Sequence, residues 1–354
     1  MTGQPPRRAA FYRYLPPLVL LLALFCTLPG CAGPAPHAEK ALDRVVWPPP
    51  PLEPRVAWVA SISGPDDLAG GKGFWKRVSA FIFGEEKVRI ARPYGVYADR
   101  ERRLLVADPG GKAVHLIERA QGRYRVLRGE EVGGFLSPIG VTADGRGEGY
   151  VTDSAAGKVY RFSLSSSETK PFITQGVKRP TGIAFNPVNE LLYVSDTVAG
   201  QVVTFTLEGK EAFRFGAPGE SPGQFNRPTD LAVDGQGRVA VTDALNGRIQ
   251  IFSADGVFLK DFGRPGDVSG SFAKAKGVAF DSRGQLHVCD ALFDTVQVFN
   301  EQGVLLLSYG ARGDGHGELW MPSGIFIDAH DTVYVADTYN NRVQIFQYLS
   351  TLTE

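Results

Sequence analysis

The chain has 354 residues, 43% of them hydrophobic, and its 42 Gly and 24 Pro are spread through alternating apolar and polar segments, which excludes a disordered or fibrous chain. Basic and acidic residues balance at 38 each, but Arg7, Arg8 and Arg13 stand in the first thirty positions with no acid beside them, so the remainder is mildly acidic. That balance argues against the positive excess that phosphate backbones require, and no nucleic acid partner is expected.

The three arginines precede an apolar run from Leu15 to Leu28, broken by Pro16, Pro17, Cys26 and Thr27 and followed by Pro29-Gly30-Cys31. The run is short and Pro-marked for a membrane span and reads as an export signal over residues 1–30. Leu28-Pro29-Gly30-Cys31 resembles the bacterial lipoprotein box, and the resemblance implies lipidation at Cys31, with the membrane reached through that residue. Ala32 lacks the place-marking Asp of inner-membrane lipoproteins, so the implied address is the bacterial cell envelope, lipid-anchored at the outer membrane. Residues 31–54 then turn Pro-rich, ending in Pro48-Pro49-Pro50-Pro51, as a semi-rigid tether would.

Arg55 to Ile62 has the pattern of a strand with no partner nearby. Residues 63–84 form an insert in which Phe74, Trp75, Val78, Phe81 and Ile82 lay one apolar stripe on a short helix, with Lys76 and Arg77 beside it.

From there a unit recurs six times. Its marker is a strand-terminal aspartate, Asp108, Asp153, Asp196, Asp243, Asp290 and Asp337, at intervals of 45, 43, 47, 47 and 47 residues. Nine positions after each comes Ile117, Phe162, Phe205, Phe252, Phe299 or Phe346. Before each runs an alternating strand that opens with Pro-x-Gly or a variant, such as Pro93-Tyr94-Gly95 and Pro322-Ser323-Gly324. Four strands and tight turns per unit, with no helix, make a ring of small sheets, because one unit cannot bury both its faces alone. The fold class is therefore all-β: a six-bladed β-propeller of four-stranded antiparallel blades over residues 55–349. The last copy lacks room for a fourth strand, so the orphan strand near Trp58 is expected to pair with it and close the ring.

Asp243-Ala244-Leu245-Asn246-Gly247-Arg248 and the stretch Asp337 to Phe346 share a pattern of Asp, Asn three on and Arg five on, followed by an apolar strand. With the connector Gly216 to Pro228, these residues resemble the NHL repeat family of six-bladed propellers. The resemblance covers about residues 90 to 348 and implies a partner-binding face; in some members that face takes RNA or protein.

The turn after each marker carries Lys112, Lys158, Gln201, Arg248, Thr295 and Arg342. The four basic residues are expected on one end of the ring, with Asp230, which replaces the usual Gly of the first strand, at the channel mouth. Asp230, Lys112, Lys158, Arg248 and Arg342 are the candidate contacts for a protein partner or small ligand. Against this, the arginines could brace the blades, and the marker aspartates could simply accept turn amides rather than form a metal ring. Cys289, beside Asp290, has the pattern of a small buried filler. No catalytic residue, metal ligand or cofactor emerges, since the five His are scattered and neither a haem motif nor a nucleophile elbow is present. The reading is a binding or scaffold module; its alternative is a divergent propeller hydrolase or lyase with a metal at the channel mouth.

Overall fold

The structure, a computed structural model, describes residues 3, 45–68 and 88–349. From residue 45 on, the described residues form a six-bladed β-propeller. Blade 4 shows the plan: antiparallel strands Pro228–Val233, Val239–Asp243, Arg248–Phe252 and Phe258–Phe262, ordered from the channel outward. The second and third strands are wholly or almost wholly buried, whereas the fourth exposes alternate residues. That gradient is the radial geometry of a propeller, in which inner strands are flanked by neighbouring blades on both faces.

The apolar clusters lie between blades rather than within them. Leu105 and Leu116 of blade 1 share a cluster with Val141, Val151 and Phe162 of blade 2. Val194 and Phe205 of blade 3 pack with Tyr150 and Val159 of blade 2. The residue nine positions after each marker is at most 2% exposed in every blade. Each such phenylalanine contributes about 2–3 kcal/mol through burial.

Blade 6 is assembled from both ends of the body. Ile325–Ile327, Thr332–Asp337 and Arg342–Tyr348 are followed outward by Val56–Ile62, which runs antiparallel to Arg342–Tyr348 with Trp58 opposite Phe346. The expected closing strand is thus present. A fifth strand, Val46–Trp47, lies outside it. The tether expected over 31–54 therefore gives way to the propeller at its C-terminal end: the apolar Trp47 packs its ring on Tyr309 and Phe346, with centroids 6.2 and 5.7 Å away, ahead of the prolines.

The insert leaves and returns at one point, where the Ile90 amide donates to the Ser63 carbonyl at 2.9 Å. Its start is a short 3-10 turn, Pro65–Asp67, whose Asp67 carboxylate accepts from the Ser63 amide. The expected helix carrying Phe74, Trp75, Val78, Phe81 and Ile82 lies outside the described residues, as do the signal segment and Cys31. No helix among the described residues is long and apolar enough to cross a membrane.

At the channel the first strands meet backbone to backbone. A side chain on Gly140 would collide with the Thr181 carbonyl of the next blade, and Gly324 donates its amide to the Tyr94 carbonyl at 2.9 Å across the blade 6–blade 1 seam. Glycine is required there by approach distance.

Candidate functional site

All connections between blades, and all turns after the marker aspartates, fall at one end of the ring, called here the linker end. The opposite end carries the other hairpin turns. Every marker aspartate is fully buried at the linker end, and each accepts backbone amides of the connector entering its own blade. Asp153, for example, takes the Leu136 and Ser137 amides at 2.6 and 3.0 Å, and the Ala156 amide of its own turn at 3.0 Å. The markers are latches, each satisfied by donors from its own blade. Among the described residues no group of three or more His, Cys, Asp and Glu comes together as a metal site.

Blades 4 and 6 extend the latch with side chains. Asp243 accepts from Asn246 Nδ2 at 2.8 Å, Arg248 Nε at 2.8 Å and Gln250 Nε2 at 3.0 Å. Asn246 also holds the Gly219 carbonyl, and the Arg248 guanidinium holds the carbonyls of Ser221 and Gln224. In blade 6, Asn340 and Arg342 bind Asp337 in the same way and hold the carbonyls of Gly313, Asp314, Gly315 and Glu318. The Asn and Arg of the repeated pattern thus sew an extended connector onto its blade, satisfying carbonyls that have no strand partner.

This arrangement divides the sequence-based candidates. Arg248 and Arg342 are only 12% and 11% exposed, with guanidinium groups committed to the latch. They brace the blades and are not free for a partner. Lys112 is exposed and Lys158 half-buried, both at the linker end. Asp230 lies in the channel wall, one blade away from its hydrogen-bond donor, the Val278 amide, at 3.4 Å.

A different set of cations dominates the linker end. Arg179, Arg227 and Lys274 each immediately precede a first strand and Arg92 stands at the corresponding position before Pro93; all four are exposed, and none forms an ion pair among the described residues. Arg92 lies over the Tyr339 ring at 5.4 Å. Interleaved with them are exposed apolar residues, one position past the start of each turn in four consecutive blades: Val198, Leu245, Leu292 and Tyr339. Trp320 adjoins Tyr339 with centroids 5.5 Å apart, and Leu136, which holds in blade 2 the connector position of Trp320, is exposed as well. In the sequence these cations occupy the position just before Pro-x-Gly or its variants in blades 1, 3, 4 and 5, a position that Ser137 and Met321 hold in blades 2 and 6.

Histidine does structural work. His115 bridges Asp108 and Tyr124 at 3.0 and 2.9 Å, fully inside blade 1. His287 contacts the Tyr309 hydroxyl at 3.1 Å, also buried. Cys289 is fully buried, and burial pushes its thiol well above the usual range, as suits a core filler rather than a nucleophile.

The channel narrows to a cavity of about 110 Å³, walled by the six first strands. Burial away from solvent pushes the Asp230 carboxyl up to about 7, against the pull of the Leu231 and Val278 amides. Lys276, one position earlier on the first strand of blade 5, lies over the Tyr94 ring, 5.2 Å from its centroid, and burial lowers it to about 8. A carboxyl whose folded-state value is raised favours the fold fully below pH 4 and loses that advantage as pH rises through 7. Asp230→Asn is therefore expected to stabilise the protein by about 2 kcal/mol at pH 8, with the difference vanishing near pH 4. Urea melts of both proteins across that range check it; equal pH slopes would contradict it.

These features define the class: a six-bladed β-propeller. Residues 319–346 match the NHL repeat, and residues 139–273 match the SMP-30/gluconolactonase/LRE-like region. Among solved structures, the virginiamycin B lyase of Staphylococcus aureus is 16% identical with a TM-score of 0.54, the alignment covering 73% of this chain and 96% of that one. An auxiliary nutrient binding protein of Bacteroides thetaiotaomicron gives 13% identity and a TM-score of 0.59, over 74% and 70%. A chain of a nidogen/laminin complex gives 15% and 0.52, over 71% and 89%. At these identities the likeness is one of fold.

Proposed function

We propose that this chain is a recognition module of the bacterial envelope, anchored at the outer membrane through a lipid on Cys31, which docks a protein partner on the linker end of its propeller. One observation carries the reading: four exposed cations without carboxylate partners alternate with exposed apolar side chains at equivalent positions around a single end of the ring. Single exposed leucines are ordinary, but a periodic series on one end, with Trp320 and Tyr339 beside Arg92, has the composition of an interface. The complementary partner is a protein surface that presents acids around apolar side chains.

Capture from detergent extracts tests this. The full chain should retain a specific partner that the Leu245→Glu, Leu292→Glu double variant loses, since two carboxylates would oppose an acidic surface at the centre of the series. Cys31→Ser should abolish incorporation of labelled fatty acid without altering that capture. Retention by the double variant would exclude the linker end, and unchanged labelling would exclude the anchor.

A hydrolase or lyase is the second reading. It is favoured by the match over residues 139–273, which includes Asp230, and by a carboxyl titrating near neutrality, where acid-base groups work best. A stoichiometric divalent ion in purified protein would favour it over docking alone.

A further inference from the structure

We infer that the channel cavity is a binding site for a small organic cation, an alkylammonium group seated against the Asp230 carboxylate. The inference is separate from the docking surface, which lies outside the channel.

Five of the six first strands place glycine at this level: Gly95, Gly140, Gly182, Gly277 and Gly324. Asp230 alone puts a carboxylate there, and among the described residues it is the one acidic side chain of the cavity lining. Lys276 stands one blade away, yet its ammonium lies over Tyr94, and no cation pairs with Asp230 among the described residues. The groups that face the carboxylate are the Tyr94 hydroxyl, which burial and then the carboxylate's charge push up to about 12, and the buried Cys289 thiol. Neither supplies positive charge. A half-buried carboxylate lining a narrow channel, held by two backbone amides and by no cation among the described residues, is under-compensated, and a bound cation would complete it.

The remaining wall chooses the kind of cation. Tyr97, Phe185, Phe280 and Phe326 reach the same cavity and are half-buried, so part of each ring is open to it. The Tyr97 and Phe326 rings sit 4.7 Å apart at the blade 6–blade 1 seam. Aromatic faces attract ammonium groups, and apolar walls favour a carbon-bearing ion over a hydrated metal, which would need more oxygen ligands than one carboxylate. A cavity of about 110 Å³ has room for a short alkyl chain but excludes a folded peptide or a nucleotide. An anionic ligand would face the carboxylate unpaired.

The test uses the full chain in detergent and n-butylammonium as probe, with 1-butanol and butyrate as isosteric controls, followed by calorimetry and by melting temperature at pH 5.5 and 8. Butylammonium should bind at least tenfold more tightly than 1-butanol, tightening between pH 5.5 and 8 as Asp230 ionises, while butyrate should not bind. Asp230→Asn should bring butylammonium down to the level of 1-butanol. Asp230→Gly, which restores the residue of the other blades, should do the same in a ring of normal packing and guards against a folding defect in the first variant. Equal affinity for butylammonium and butanol, binding that survives both substitutions, or the absence of saturable binding by the unaltered protein would overturn the inference. Partner capture at the linker end is unaffected by any of these outcomes.

Discussion

Asp243→Ala is expected to lower the unfolding free energy by about 3–5 kcal/mol, the cost typical of stripping one partner from a buried ion pair. The carboxylate is fully buried and accepts from the Asn226 amide at 2.6 Å as well as from Asn246, Arg248 and Gln250. Removing it takes an acceptor from four donors at once, although Asn246 keeps the Gly219 carbonyl and Gln250 the Gln224 carbonyl. The Arg248 guanidinium keeps the exposed Asp261 at 2.9 Å and two carbonyls, but its Nε loses its acceptor. Asp153→Ala makes the informative comparison, because that marker serves three backbone amides with no cation among its partners. Its loss should cost about 2 kcal/mol, the desolvation of unpaired amides. Denaturant melts of the two variants decide the matter. If Asp153→Ala proves as costly as Asp243→Ala, the charged extension of the latch adds nothing, and the role assigned to Arg248 and Arg342 falls.

The second large effect concerns closure. Within Val56–Ile62, Val56 enters the cluster of blades 5 and 6, and Ile62 enters that of blades 6 and 1, at 0% and 2% exposure. Trp58, between them, donates from Nε1 to Gln344 at 2.8 Å and stacks on His316, with ring centroids 4.0 Å apart. The double variant Val56→Ala, Ile62→Ala should lose about 5 kcal/mol, since the two sites share no neighbours and large-to-small losses at separate sites add. It should also oligomerise, because Arg342–Tyr348 would become an open edge competent to pair with another chain. Light scattering under mild denaturation reads both effects. A destabilised variant that stays monomeric would mean that the fifth strand, Val46–Trp47, suffices to protect that edge.

Much of this architecture was legible in the residues themselves. The marker interval, the phenylalanine nine positions on and the alternation between them report strand, turn and strand locally, and the orphan segment around Trp58 was recognisable because the last copy lacked a partner for it. The end of the tether was less legible. A run of prolines signals extension, but Trp47 ahead of it finds a pocket beside Tyr309 and Phe346 that exists only once the ring has closed.

The candidate site divided along the same line. Basic residues in the marker turns were visible, and so was the departure at Asp230. Whether a given cation is free could not be read locally. Arg248 and Arg342 find their carbonyl acceptors 24 to 28 positions earlier in the chain, in connectors with no regular strand partner. Arg227 and Lys274, equally basic and at the ends of such connectors, are exposed and form no ion pair among the described residues.

The sequence by itself determined the blade count, the strand order and the closing segment, because hydrophobic period and turn chemistry are properties of neighbouring residues. Tertiary structure alone decided which charges are consumed and which remain available. Hydrogen-bond saturation depends on acceptors brought together by ring closure, and a channel carboxylate such as Asp230 acquires its near-neutral titration from the walls that other blades place around it.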